Sequence, residues 1–223
     1  AAPNLAYNSE AISDRNVLVT FGTGQYLATG DDSDTSTQSY YTVWDKGGGL
    51  LDRDDLIERV LERDGTKRSI TTGATIDWAG DLGWFFDLGI LAGSAFEKPG
   101  ERLTHKPLLI PDKDLGPVAV FASMIPDSSE CAGGASSVLY AIPLLTGENP
   151  TKAIMELDGD ADIDDDDRGV GVEIDNFINE PNHLAGNIYV SEGDGGGVSV
   201  KETTLEGGSA REGRLGWHEL IDQ

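Results

Sequence analysis

The sequence has little cysteine, few basic residues and no long apolar run. Its single cysteine, Cys131, has no intrachain partner for a disulfide, and no cysteine-based metal or redox motif surrounds it. Lys and Arg number 16 against 40 Asp and Glu, which gives a formal net charge of −24. This balance argues against nucleic acid as a partner, because phosphate binding requires a basic surface. No apolar stretch approaches the roughly 18 residues that a transmembrane helix needs, so we expect no membrane span.

What the chain does contain is typical of one all-β domain. A length of 223 residues is enough to bury a sizeable core, and 29 glycines supply many tight turns. The acidic composition suits high salt or an exposed cell surface, where self-repulsion is screened. Because the chain begins Ala1-Ala-Pro-Asn4 rather than with methionine, we expect a processed or excised piece of a longer polypeptide.

Short apolar runs bounded by glycine and aspartate predict antiparallel strands throughout the chain. Seven runs carry this signal: 17–21, 39–44, 83–88, 118–122, 137–142, 187–190 and 198–200. The unit Leu139-Tyr-Ala, four further residues and Thr146-Gly147 resembles a strand and turn that recur in propeller blades. Since a blade takes about 40–50 residues, the chain predicts only part of a closed β-propeller.

The segment 51–64 departs from this pattern. Leu56 and Val60, and likewise Ile57 and Leu61, are spaced four residues apart, as on one face of a helix. Asp52 or Asp54 offers a cap for its start, and Gly65 offers an end. We therefore predict a short amphipathic helical insertion that packs on the body of the domain.

An acidic run at 156–167 has the spacing of a twelve-residue calcium loop. Oxygen ligands are predicted from the side chains at positions 1, 3, 5, 9 and 12 and from the position 7 carbonyl, and Ile163 at position 8 would anchor the loop. The predicted metal ligands are Glu156, Asp158, Asp160, Asp162 (through its carbonyl), Asp164 and Asp167. Position 1 is glutamate rather than aspartate, and position 6, usually glycine, is Ala161. The alternative interpretation is a solvated acidic run.

Other motifs favour structural roles. Gly22-Thr-Gly24 lacks the lysine of a phosphate-binding loop, so a tight turn is predicted. The acidic cluster at 31–34 is predicted to be a surface turn, with weak cation binding as the alternative. His105, His183 and His218 show no zinc spacing. No nucleophile, base and orienting acid can be assembled, so we assign no catalytic residues and no cofactor beyond Ca²⁺.

An ordered set of motifs resembles the C-terminal part of the PilY family of type IV pilus tip and assembly proteins. Together the motifs span nearly the whole chain. They are Val19-Thr-Phe-Gly-Thr-Gly-Gln-Tyr-Leu27, Gln38-Ser-Tyr-Tyr-Thr-Val-Trp-Asp45, Gly83-Trp-Phe-Phe-Asp-Leu88, Gly100-Glu-Arg102, Cys131-Ala-Gly-Gly134, Leu139-Tyr-Ala-Ile-Pro-Leu-Leu-Thr-Gly147, the acidic loop, and Gly216-Trp-His-Glu-Leu220.

The resemblance implies a modified β-propeller whose N-terminal blades precede this chain in the same precursor. It further implies a non-enzymatic pilus component at the cell surface or pilus tip, secreted through the periplasm or outer membrane. Minor pilins and a host or abiotic surface are the implied partners, with calcium tuning pilus extension, attachment and twitching. Relatives carry an EF-hand-like loop with aspartate or asparagine ligands and glycine at position 6, from which Glu156 and Ala161 depart.

Two other functions are compatible with parts of the sequence. Quinone-dependent dehydrogenase propellers share similar Leu-Tyr-Ala strands and Gly-Thr-Gly turns, yet this chain shows no basic cluster for a polycarboxylate quinone. A halophilic surface structural module would share the charge without explaining the ordered motifs.

Overall fold

The computed structural model describes residues 1–10, 16–28, 30–71, 73–92, 95–126, 135–193 and 197–205. Cys131, Trp217 and His218 lie outside these residues, as do the two motifs that contain them. Within the described part of the chain, no helix is long and apolar enough to cross a membrane.

The fold is all-β, as predicted, and its strands form one large and one small sheet. The first half of the chain supplies β1 Asn4–Tyr7, β2 Val17–Gly22, β3 Ser39–Asp45, β4 Ile57–Asp64, β5 Lys67–Ile70, β6 Gly83–Ala92 and β7 Ala95–Glu97. The second half supplies β8 Leu108–Asp112, β9 Gly116–Pro126, β10 Ala135–Pro143, β11 Gly171–Ile174, β12 Asn182–Leu184, β13 Asn187–Ser191 and β14 Val198–Glu202. All seven predicted strands are confirmed.

The large sheet has the order β1-β2-β3-β6-β4-β5-β11-β10-β9-β8, with β7 paired to β6. Its pairings are antiparallel except for the parallel pair of β4 and β6. The sheet curls until its two ends meet, where Asn4 Nδ2 donates to the carbonyl of Pro107 at 2.9 Å. The result is a nearly closed sheet, consistent with part of a propeller-like β fold. The small sheet, β12-β13-β14, is separate from it.

Two apolar cores lie on opposite sides of β9 and β10. Phe121 and Tyr140 point into the core inside the curled sheet, which also holds Trp84. Val120 and Leu139 alternate with them and point into a second core, shared with the small sheet. Because both faces of these strands are buried, their sequences read as continuous apolar runs rather than as an alternation.

The helix predicted over 51–64 is wrong. Arg53–Asp55 forms a single 3₁₀ turn and Ile57–Asp64 forms β4, which lies between β6 and β5. The four-residue spacing of apolar residues predicted a helix because a charged residue, Arg59, occupies an inward-facing position of the strand. The sequence therefore lacks the alternation of apolar and polar residues that indicates a strand. Its guanidinium is buried and donates to the carbonyls of Ala74 at 2.6 Å and Thr146 at 2.7 Å. Gly65, the predicted helix end, lies instead in the β4–β5 turn with φ 60°.

Candidate metal centre

The acidic loop 156–167 connects β10 to β11 and lies where the large and small sheets meet. Just before it, Met155 forms an antiparallel bridge with Thr203, which follows β14. Met155 and Leu157 are both buried in the second core. The apolar side chains on either side of Glu156 therefore fix the start of the loop to the protein body.

Asp167 closes the loop on itself. Its side chain is 1% exposed, and its two carboxylate oxygens accept from the N–H groups of Leu157, at 2.6 Å, and Asp164, at 3.1 Å. Charge-assisted bonds of this kind offset part of the cost of burying a carboxylate. The last residue of the loop is thus held beside the first.

The structure brings three of the six predicted ligands together. Carboxylate oxygens of Glu156, Asp158 and Asp167 lie within 4.8 Å of one another, and they form the one acidic or histidine cluster of this kind among the described residues. This group is called the carboxylate cluster below. His105 and His183 belong to no such cluster.

The other three predicted ligands lie outside the carboxylate cluster and shape the loop backbone. Asp160 Oδ1 accepts from the N–H of Asp162 at 2.9 Å, and Asp164 Oδ1 accepts from the N–H of Asp166 at 2.8 Å. Asp164 thereby caps the 3₁₀ turn Asp165–Asp167. Ile163, which is predicted to anchor the loop, is half-buried.

Negative charge accumulates at the carboxylate cluster and one lysine partly offsets it. The N–H of Asp160 lowers the pKa of Asp158, but desolvation and the charges of Asp160, Asp167 and Glu156 outweigh it, so that the pKa lies above its usual value. Lys201 Nζ on β14 lies 3.5 Å from Glu156 Oε2. Glu156 also accepts from the N–H of Gly159.

The backbone makes the sharp turn expected at position 6 without the usual glycine. Ala161 has φ 74° and Gly159 has φ 94°, both in the left-handed region. A residue with a Cβ atom pays about 1 kcal/mol or more for this conformation. The departure at Ala161 therefore costs strain without preventing the turn.

The donor chemistry of this site suits a hard cation. Its three converging groups are all carboxylates, the kind of donor that Ca²⁺ and Mg²⁺ prefer, and each of them accepts at least one backbone N–H bond. Glu156, Asp158 and Asp167 are the residues that could hold such an ion, with Asp160, Asp164 and the carbonyl of Asp162 within the same loop.

The remaining motifs take structural positions. In the Gly22–Gly24 turn, a Cβ atom on Gly22 would lie 2.4 Å from the Leu103 side chain, so close packing explains the glycine. Asp31 accepts from the N–H groups of Ala28 and Leu27, which lowers its pKa. This geometry agrees with the predicted surface turn.

Sequence reasoning missed a buried polar network inside the curled sheet. Glu101 Oε1 accepts from Ser123 Oγ at 2.6 Å and from Tyr140 Oη at 2.8 Å, while Arg68 is paired with Glu173. Burial raises the pKa of Glu101, although the Ser123 bond and the charge of Arg68 oppose the rise. These residues are far apart in the chain, so no local spacing pattern predicts the network.

Comparison with known proteins places this fold in a recognisable class. No protein-family profile matches the chain. The crystal structure of the Pseudomonas aeruginosa PilY1 C-terminal domain matches it with a TM-score of 0.65 at 20% identity, over 91% of this chain and 44% of that one. The fold is therefore that of part of a PilY1 C-terminal domain.

Two curated relatives are similar to the chain in sequence, and both are described as "Type IV pilus biogenesis factor PilY1 homolog" from Xylella fastidiosa (strain Temecula1 / ATCC 700964). One is 27% identical over 136 residues, which is 58% of this chain and 9% of the relative. The other is 25% identical over 215 residues, 94% of this chain and 17% of the relative. The chain thus spans less than a fifth of the length of either relative, and its resemblance to the PilY C-terminal region is confirmed.

Proposed function

We propose that this chain is a non-enzymatic, propeller-like module of a type IV pilus-associated protein at the cell surface, and that its acidic loop binds calcium. The names of the two relatives support the pilus association. The carboxylate cluster is the observation that carries the calcium proposal. Pilus assembly or tip adhesion is the role proposed for the whole protein, with minor pilins and an attachment surface as its partners.

Calcium would act by relieving repulsion at the junction of the two sheets. Glu156 and Asp158 lie beside the buried Asp167, and a divalent ion between them would neutralise charge that Lys201 alone offsets only in part. Glu156 neighbours the Met155–Thr203 bridge between the loop and the end of the small sheet. Binding would therefore stabilise the packing of the small sheet on the large one, and it would present one fixed surface to partners.

We predict that calcium stabilises the protein and that Asp158→Asn removes most of this effect. For a single site, free calcium about a hundredfold above the Kd adds about 2.7 kcal/mol to the free energy of unfolding. Thermal unfolding of the wild type and the variant, each with calcium and with chelator, measures the difference. Asp158 is exposed, so the substitution itself should disturb the fold little.

Asp166→Asn is the matched control, because Asp166 is an exposed aspartate in the same acidic run but outside the carboxylate cluster. It should keep the calcium response of the wild type. If both variants lost the same share of the stabilisation by calcium, calcium would only screen the charges of the acidic run. No calcium response in the wild type would exclude the site.

A further inference from the structure

Lys201 places a positive charge at the carboxylate cluster. Its Nζ lies 3.5 Å from Glu156 Oε2, and the two side chains are 29% and 19% exposed. Among the described residues, no other lysine or arginine forms an ion pair with a member of the cluster. Glu156 Oε1 accepts from the N–H of Gly159, so both oxygens of this carboxylate already have a donor. A metal ion at the cluster would therefore meet a carboxylate that is engaged by a cation of the chain itself.

Backbone pairing fixes the position of Lys201 relative to Glu156. Met155, directly before Glu156, forms an antiparallel bridge with Thr203, which lies two residues after Lys201. Met155 is 1% exposed, so this bridge lies in the interior of the protein. The end of β14 and the start of the acidic loop are thus held side by side, and the ammonium group is kept within reach of the cluster.

The side chain of Lys201 points towards the body of the protein. It lies opposite Ile188 in the β13–β14 pairing, and Ile188 is fully buried in the second core. Its neighbours Val200 and Glu202 point the other way and are exposed. Lysine can bury its aliphatic stem in this way when its charged end finds water or a partner. Glu156 supplies such a partner.

From these observations we propose that Lys201 is an intramolecular competitor of the metal ion. Its ammonium group engages Glu156 and lowers the affinity of the carboxylate cluster for calcium. Two effects act together, because Glu156 must exchange the ammonium group for the ion, and because a unit positive charge beside the cluster repels a divalent cation. The inference rests on the proposed calcium site and names a residue that tunes it.

A purely structural role for Lys201 is the alternative, since an inward-pointing charge also protects an edge strand from pairing with another chain. The two roles predict different results when the charge is removed. A competitor leaves the calcium-free protein less stable but raises its affinity for calcium, because the carboxylates lose their internal counter-ion. A structural anchor would lower stability and leave the affinity unchanged or reduced, because the loop would lose support.

Calcium titration calorimetry of the full-length protein tests the proposal, with Asp158→Asn as the reference for calcium bound elsewhere. We expect Lys201→Met, which keeps the length of the side chain, to bind calcium at least about fivefold more tightly than the wild type. Lys201→Gln should show the same direction of change. Lys201→Arg keeps the charge and should stay within about twofold of the wild type. Thermal unfolding in chelator should show that Lys201→Met is less stable than the wild type.

Lys67→Met is the matched control. Lys67 is half-buried like Lys201, and its Nζ donates at 2.9 Å to the carbonyl of Asp166, which lies outside the carboxylate cluster. The substitution removes the same charge beside the same loop, and the calcium affinity should change less than about twofold. An affinity that is unchanged or lowered in Lys201→Met, or raised equally in Lys67→Met, would overturn the competition. No calcium binding in the wild type and in every variant would contradict the proposed calcium site itself, and the competition with it.

Discussion

At the scale of single residues, backbone N–H groups hold the carboxylates of the acidic loop in place. Asp167 and Asp164 both accept from loop N–H groups, so part of the carboxylate pattern serves the fold itself. Glu156 and Asp158 also accept from loop N–H groups, those of Gly159 and Asp160, and they lie beside the buried Asp167. The same carboxylates therefore serve the loop backbone and form the cluster.

We predict that Ala161→Gly stabilises the protein by about 1 kcal/mol, because glycine removes the cost of a left-handed backbone. The gain should be the same with and without calcium, because it comes from the backbone conformation at Ala161, where φ is 74°. Urea unfolding measures it. Ala185→Gly is the matched control, because Ala185 also has positive φ, at 52°, but lies in the β12–β13 turn. A gain at Ala161 that appears only with calcium would show that the turn forms on binding.

We predict that Glu101→Gln makes the protein less sensitive to rising pH. Burial raises the pKa of Glu101 in the folded protein above its unfolded value. Its contribution to stability is therefore full below the unfolded pKa and is lost as the pH rises through the folded pKa. Urea unfolding of both proteins from about pH 4 to 8 should show the variant gaining stability relative to the wild type as the pH rises. If the difference in free energy of unfolding between the two proteins stayed constant across this range, Glu101 would keep one charge state in the folded protein throughout.

At the scale of secondary structure elements, β4 shows how pairing overrides local spacing. Its residues satisfy a helical pattern through Leu56, Val60, Ile57 and Leu61, but the strand has neighbours on both edges, β6 and β5. The ladder bonds to two strands, and the burial of Leu61, outweigh a weak helical preference.

We predict that Leu61→Ala destabilises the protein by about 2–4 kcal/mol and that Val60→Ala costs clearly less. Leu61 is fully buried in the inner core, while the neighbouring Val60 is half-buried on the opposite face of the strand. Chemical denaturation of both variants gives the comparison. Equal losses would favour a helix, in which both side chains would lie on the packed face.

At the scale of the whole molecule, a nearly closed sheet is combined with a strongly negative net charge. A charge of −24 keeps such a chain soluble and repels polyanions, which fits the absence of any nucleic-acid motif. The small sheet covers the outer side of β9 and β10 within the large sheet.

We predict that the full-length protein copurifies with type IV pili. Sheared pili from the source cells, collected by sedimentation and probed with antibody to this chain, should contain it. A strain without the major pilin is the control, and the signal in its sheared fraction should be lost because no pilus carries the protein. An unchanged signal in that strain would contradict the pilus association.

The sequence by itself determined the strand content, the position of the acidic loop and the resemblance to the PilY family. Each of these depends on residues that are close in the chain, such as the alternation in 39–44 or the oxygen spacing from Glu156 to Asp167. Only the tertiary structure decided that 57–64 is a strand, that three of six predicted ligands converge, and that Glu101 joins Tyr140 and Ser123 in a buried network. These outcomes depend on contacts between segments far apart in sequence, where pairing and burial outweigh the weak local preferences that a sequence pattern can report.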